Sequence, residues 1–188
     1  MMYFSDKREI VTIQELDFVI YLSAREIQNK IRSIADEITA EYREKNPLFL
    51  VVLNGAYVFA ADLLRNLDFA CDVQFIKASS YKGLSSTGKV TFEQVEELKL
   101  KDRHVIIVED IVDSGLTLHS FVPTLQEYGP KSLEVCCLLN KPQARAFEVD
   151  VKYIAFTISD HFVIGYGLDF DGAGRNLPHI YQLIQQNY

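Results

Sequence analysis

Ile27, Ile31, Ile34 and Ile38 recur at alternating steps of four and three, which lays one apolar stripe along an amphipathic helix. The stripe begins just after Ser23-Ala24-Arg25-Glu26, a capping box: the serine oxygen takes an amide of the first turn and the glutamate reaches back. Asn46-Pro47 stops that helix. Leu48–Leu53 is continuously apolar rather than alternating, the pattern of a strand buried on both faces. Asn54-Gly55 breaks it, and Tyr57–Asn66 reads as a second helix. Val73–Ala78, Val105–Val108, Ser132–Leu139 and Val151–Ile158 read as further strands, and Ser79–Lys89, polar and small without periodicity, as a loop. A helix opens after Glu109–Thr117 and runs through Tyr128, where Gly129-Pro130 ends it. Buried strands alternating with helices predict an α/β fold, a mostly parallel twisted sheet with helices on both faces. The tail Ser159–Tyr188 is rich in Gly, Asp and aromatics and is less regular. No repeat, low-complexity segment or linker divides the 188 residues, so they read as one domain.

Composition narrows the partners. Hydrophobic content of 48% and charged content of 24% describe a globular chain, not a disordered one. A net charge of −7 argues against nucleic acid and anionic membrane, since both reward basic surfaces. Such a chain binds phosphate locally, through backbone amides, a few cations or a metal. Cys71, Cys136 and Cys137 form no Cys-x-x-Cys pair, which favours core roles in a reducing compartment. Met1–Ile10 lacks the apolar region of a secretory leader, and Leu48–Leu53 is far too short to span a bilayer. The expected location is cytoplasmic. His104, His119, His161 and His179 show no metal-ligand spacing.

Open α/β sheets hold ligands at the carboxyl ends of their strands. That rule directs attention to Asn54-Gly55, Ser79-Ser80-Tyr81, Glu109–Thr117 and Asn140-Lys141, all polar or glycine-containing. The segment Val105-Ile-Ile-Val-Glu-Asp-Ile-Val-Asp-Ser-Gly-Leu-Thr117 is the most specific: a buried strand, two acids, two apolar residues, then Asp-Ser-Gly-x-Thr opening a helix. Adjacent carboxylates can accept hydrogen bonds from sugar hydroxyls or lie beside hydrated Mg²⁺. Small residues, hydroxyls and free helix-start amides suit a phosphate monoester, and Gly115 lets the backbone close on it. The plainer readings are a solvated acidic strand end with Asp113 as an ordinary helix cap, and a phosphoacceptor receiver domain. The receiver wants an acidic cluster after its first strand, where this chain has Asn54-Gly55.

This segment resembles the phosphoribosyl-diphosphate (PRPP) motif of type I phosphoribosyltransferases. The rest of the chain resembles the 6-oxopurine branch, the hypoxanthine-guanine phosphoribosyltransferases of purine salvage. The matches are Leu53-Asn-Gly-Ala56, Ser79-Ser-Tyr81, Glu109–Thr117, Leu139-Asn-Lys141 and Phe162-Val-Ile-Gly-Tyr-Gly-Leu-Asp169, followed by Arg175. The resemblance implies one phosphoribosyltransferase domain over residues 1–188, with a core of about 23–158 and a small hood from about 1–22 and 159–188. It implies that Glu109 and Asp110 hold the ribose hydroxyls, and that Asp113, Ser114, Gly115, Leu116 and Thr117 hold the 5-phosphate. Asn54, Gly55 and Arg175 take the diphosphate, at a turn that in the family contains a cis peptide between non-proline residues. Asp113 is the implied general base; Lys141, Phe162, Val163 and Asp169 are implied at the purine. Mg²⁺ is the implied cofactor, with Glu109, Asp110 and Asp169 beside it, and Ser80-Tyr81 the hinge of a lid.

Two departures from the family pattern are Asn54, where several relatives carry lysine or arginine, and Leu116, where they carry lysine; the glycine and the hydroxyls remain. The implied reaction takes PRPP and hypoxanthine or guanine to IMP or GMP and diphosphate, in a homodimer or homotetramer. A xanthine-preferring relative and a nucleotide-sensing regulatory module of the same fold remain the alternatives. The acidic balance disfavours the second, as does the presence of both Asp113 and Asp169.

Overall fold

The capping box forms at the start of helix α1 (Ala24–Tyr42). The Glu26 amide donates to the Ser23 hydroxyl at 3.3 Å, and the Ser23 amide donates to the Glu26 carboxylate at 2.8 Å. The isoleucine stripe is fully buried. The computed structural model describes residues 10–80, 90–92 and 97–184, so the loop expected over Ser79–Lys89 lies largely outside the described residues.

Six strands make the main sheet: β3 (Leu48–Leu53), β4 (Asp72–Ser80), β5 (Val90–Phe92), β6 (His104–Val112), β7 (Ser132–Asn140) and β8 (Tyr153–Thr157). Their order is β5-β4-β3-β6-β7-β8, with every pairing parallel except β5 on β4. Alternation along β3 divides the core. Phe49 and Val51 pack with α1 and helix α2 (Tyr57–Arg65), whereas Leu48, Leu50 and Val52 pack with helix α3 (Leu116–Gln126) on the opposite face. Helices therefore cover both faces, as the continuous apolar runs predict.

Three local differences from the sequence reading have physical causes. Strand β6 does not stop at Val108; it continues to Val112, because Glu109 pairs with Cys137, Ile111 with Leu139 and Val112 with Asn140. The ladder holds the acidic pair extended where its charge alone suggests a loop. Helix α3 starts at Leu116 with Gly115 at its cap position (φ +82°), so Asp113 is not the helix cap. The first described residues form a hairpin of β1 (Ile10–Ile13) and β2 (Leu16–Leu22), for which no element was expected. Its two turn residues, Gln14 and Glu15, both have positive φ, a conformation usually signalled by Asn-Gly or Asp-Gly.

That hairpin joins β10 (Ile180–Leu183) and β9 (Val163–Ile164) in a second, antiparallel sheet ordered β1-β2-β10-β9. Phe18, Ile164 and Tyr181 are its buried centre. The sheet thus gathers the two ends of the described residues and presents the turn-rich segment from Gly165 to Arg175 toward the turn after β3.

Candidate active site

The residues from Glu109 to Leu118 wrap a cavity of about 240 Å³ at the carboxyl end of β6. Gly115 is part of its lining. A Cβ there would stand 2.5 Å from the Phe147 carbonyl oxygen, so both the backbone conformation and the space require glycine. The segment after β7 is tied to the same loop, with the amides of Ala146 and Phe147 both donating to the Ser114 carbonyl at 3.0 Å. The Ser114 hydroxyl accepts from the Leu116 amide at 3.4 Å. Leu116 begins α3, and Thr117 lies in its first turn. Ser114, Gly115, Leu116 and Thr117 thus form a small-residue cradle at a helix start, an arrangement that suits an anion. A larger cavity, about 330 Å³, lies between α3 and the start of β7, away from this cluster of acids and hydroxyls.

Glu109 and Asp110 are consecutive on β6, so their side chains leave opposite faces of the strand. Glu109 is buried, and that burial, with the neighbouring Asp110 charge, holds its carboxyl well above the usual range. Burial pushes Asp110 up to about 6; the Asp169 carboxylate adds to the rise and the Arg175 guanidinium opposes it. Asp110 packs directly on Gly55, where any Cβ would overlap its carboxylate. Gly55 follows a cis peptide between Leu53 and Asn54, one bond earlier than the Asn54-Gly55 pair itself. Asn54 is exposed and Gly55 buried.

The tail closes on this turn. Gly167 (φ +103°) brings its Cα against the Gly55 carbonyl. Arg175 donates through Nη1 to the Gly167 carbonyl at 2.7 Å, and its Nη2 lies 2.6 Å from Asp169 Oδ1. Asp169 Oδ2 accepts from the Gly172 amide at 2.7 Å. Asn54, Gly55, Asp110, Asp169 and Arg175 therefore share one region, although they come from three separated segments. Tyr166, between Gly165 and Gly167, donates its hydroxyl to Asp62 on α2, and Gln28 of α1 donates to both. None of Tyr166, Asp62 and Gln28 was singled out from the sequence.

On the other side of the cradle, Lys141 is buried with its ammonium 3.4 Å from Asp113 and 3.1 Å from Asp160. Asp113 is exposed. Asp160 also escaped the sequence reading: an aspartate in a polar triplet, Ser159-Asp160-His161, carries no pattern of its own. Phe162 keeps 45% of its surface exposed while leaning on Phe18 and meeting Phe170 edge-on. An exposed aromatic braced by two others is a ready stacking surface. Val163 is buried at the start of β9. Ser80 ends β4, and Tyr81, the other residue of the expected hinge, lies outside the described residues. Among the described residues no three His, Cys, Asp or Glu side chains are grouped to hold a metal alone, and no helix is long and apolar enough to cross a membrane.

Comparison with known proteins places this parallel-sheet core in one enzyme family. The phosphoribosyl transferase domain family matches residues 20–171. The chain belongs to the phosphoribosyltransferase family. It is 40% identical over 173 residues to the hypoxanthine-guanine-xanthine phosphoribosyltransferase of Tritrichomonas foetus, covering 92% of this chain and 94% of that one. Identity to the hypoxanthine-guanine phosphoribosyltransferase of Bacillus subtilis is 37%, over 86% of this chain and 90% of the other. The crystal structure of a hypoxanthine phosphoribosyltransferase from Staphylococcus aureus superposes with a TM-score of 0.83 at 35% identity, over 88% of this chain and 90% of that one.

Proposed function

We propose that this chain transfers the 5-phosphoribosyl group of PRPP to hypoxanthine and guanine, giving IMP and GMP with release of diphosphate. The observation that carries this reading is the pairing of Lys141 with Asp113 beside the cradle. An ammonium has only donors, so it suits a 6-oxo purine and is mismatched to the 6-amino group of adenine. The 5-phosphate lies in the cradle Ser114–Thr117, and the diphosphate lies over Asn54-Gly55 with Arg175 as a fork-shaped donor. Phe162 stacks on the purine, the Val163 backbone meets its ring edge, and Asp169 stands nearby. As the imidazole nitrogen attacks the anomeric carbon, the carbon–oxygen bond to diphosphate breaks and its electron pair leaves with diphosphate. Asp113 takes or shares the proton of the purine imidazole ring.

Mg²⁺ suits the acids present. It keeps several waters and takes one or two protein carboxylates plus substrate phosphate oxygens, rather than a full protein cage. Burial disfavours the charged forms of Glu109 and Asp110, and a cation beside them offsets that cost. Glu109, Asp110 and Asp169 would hold Mg²⁺, which would supply charge neutralisation for the departing diphosphate. The antiparallel sheet and its turns serve as the hood over a core of about 23–158, and Ser80-Tyr81 as the hinge of a closing lid. The enzyme works in the cytoplasm as a homodimer or homotetramer.

The test is a panel of hypoxanthine, guanine, xanthine and adenine assayed with PRPP and Mg²⁺. Hypoxanthine and guanine should be converted, and adenine should not. Turnover of xanthine at a rate above both would favour a xanthine-preferring enzyme, a reading that the name of the Tritrichomonas foetus relative keeps in view. Asp113→Asn should lower turnover by about 10²–10⁴-fold with PRPP binding retained.

A further inference from the structure

Lys141 is the only buried cation among the described residues, and two carboxylates from different parts of the chain compensate it. Its backbone is fixed separately, by donation of its amide to the Val112 carbonyl at 2.9 Å. Asp113 reaches the ammonium from the end of β6, whereas Asp160 reaches it from the segment between β8 and β9, two residues before Phe162. The nearer oxygen belongs to Asp160, at 3.1 Å against 3.4 Å.

The second carboxylate answers a difficulty in the reaction. A buried charge left without its partner is strongly disfavoured. If Asp113 alone faced the ammonium, protonating Asp113 during base attack would discharge that sole partner at the moment the proton must move. With Asp160 in place, the ammonium keeps a negative partner while Asp113 takes the proton. The Lys141 ammonium donates to Asp160 Oδ1 at 3.1 Å and to Asp113 Oδ2 at 3.4 Å, so it is held between the two carboxylates.

We propose that Asp160 is a positioning residue for purine selection: it holds the Lys141 ammonium at the 6-oxo position and balances its charge while Asp113 accepts a proton. This rests on the roles proposed above for Lys141 and Asp113. The Asp160 side chain is 66% exposed, so its replacement removes a carboxylate without opening a cavity in the core.

The experiment is a double-mutant cycle on the purified full chain with PRPP and Mg²⁺. It comprises Asp160→Asn, Asp160→Glu, Lys141→Met and the double variant Asp160→Asn with Lys141→Met, with melting temperatures measured in parallel. Asp160→Asn should lower kcat/KM for hypoxanthine and guanine by about tenfold, the scale of one hydrogen bond to a charged group. The Michaelis constant for PRPP should hold, and the preference for hypoxanthine over adenine should narrow. Asp160→Glu should restore most of the loss. Because Asp160 acts through Lys141, the double variant should be no worse than Lys141→Met alone. Independent losses that multiply in the double variant, or unchanged base preference in Asp160→Asn beside an impaired Lys141→Met, would overturn the role of Asp160 and leave that of Lys141 standing. An unaltered Lys141→Met would remove both. Should Asp160→Asn fail to fold, Asp160→Ser enters the same cycle under the same criteria.

Discussion

Asp110 shows how a single desolvated carboxyl ties stability to pH. Its carboxyl is pushed up to about 6 in the folded chain against 3.8 for an unperturbed aspartate, chiefly by desolvation in its half-buried place beside Gly55. The folded state therefore holds the proton more tightly than the unfolded state between those values. Its contribution to stability is fully present below about 4 and is lost as pH rises through about 6. Asp110→Asn keeps the acceptor for the Ile111 amide, which lies 2.8 Å from Asp110 Oδ1, but cannot ionise. In the presence of a chelator, it should raise the melting temperature at neutral pH by several degrees, since each kcal/mol moves a chain of this size by about 2–4 °C. The difference between variant and parent should shrink toward pH 4, while activity with Mg²⁺ falls. Equal melting curves across that range would show that burial costs the Asp110 charge nothing.

At the scale of elements, the decisive junction is β6 into α3. The strand delivers Asp113, Gly115 turns the chain at φ +82°, and α3 starts without a side-chain cap. Gly115→Ala meets two separate penalties. A left-handed residue with a Cβ costs about 1–2 kcal/mol, and that Cβ would press on the Phe147 carbonyl. The loop must then move against the segment bonded to the Ser114 carbonyl. Gly115→Ala should lower the melting temperature and raise the Michaelis constant for PRPP by about tenfold or more, as expected when loss of a charged hydrogen bond is the yardstick. The constant for the purine should change far less. An unchanged PRPP constant would place the 5-phosphate elsewhere.

Across the whole molecule, the two sheets are tied by a polar contact beside the site. Tyr166 stands in the antiparallel half with φ +51°, yet its hydroxyl bonds Asp62 on α2 and takes a hydrogen bond from Gln28 on α1 at 2.9 Å. That anchor adjoins Gly167, whose carbonyl accepts from Arg175 and whose Cα lies against the Gly55 carbonyl. Tyr166→Phe leaves the Asp62 carboxylate with one partner fewer in a half-buried place, a loss of about 1–3 kcal/mol. Thermal unfolding should report that loss, and steady-state kinetics should show a raised PRPP constant at nearly constant purine constant. A drop in stability without any kinetic change would confine Tyr166 to joining the sheets.

What the sequence determined by itself was everything governed by neighbours along the chain. The isoleucine stripe, the capping box and the continuous apolar strands are short-range patterns, and the elements they specify assembled into the expected α/β sheet. The cradle was legible for the same reason, because Asp113, Ser114, Gly115 and Thr117 lie within one strand-to-helix turn. The N-terminal hairpin was not legible, since Gln14-Glu15 lacks the residues that normally mark its turn and pairing with β10 stabilises it instead. Tertiary structure alone decided the partners. Asp160 lies 19 residues from Lys141, Asp113 lies 28 residues from it, and Tyr166 lies 104 residues from Asp62. Electrostatic compensation of a buried charge depends on distance in space, and the burial that raises the Glu109 and Asp110 carboxyls exists only once β3, β7 and the tail have closed around them.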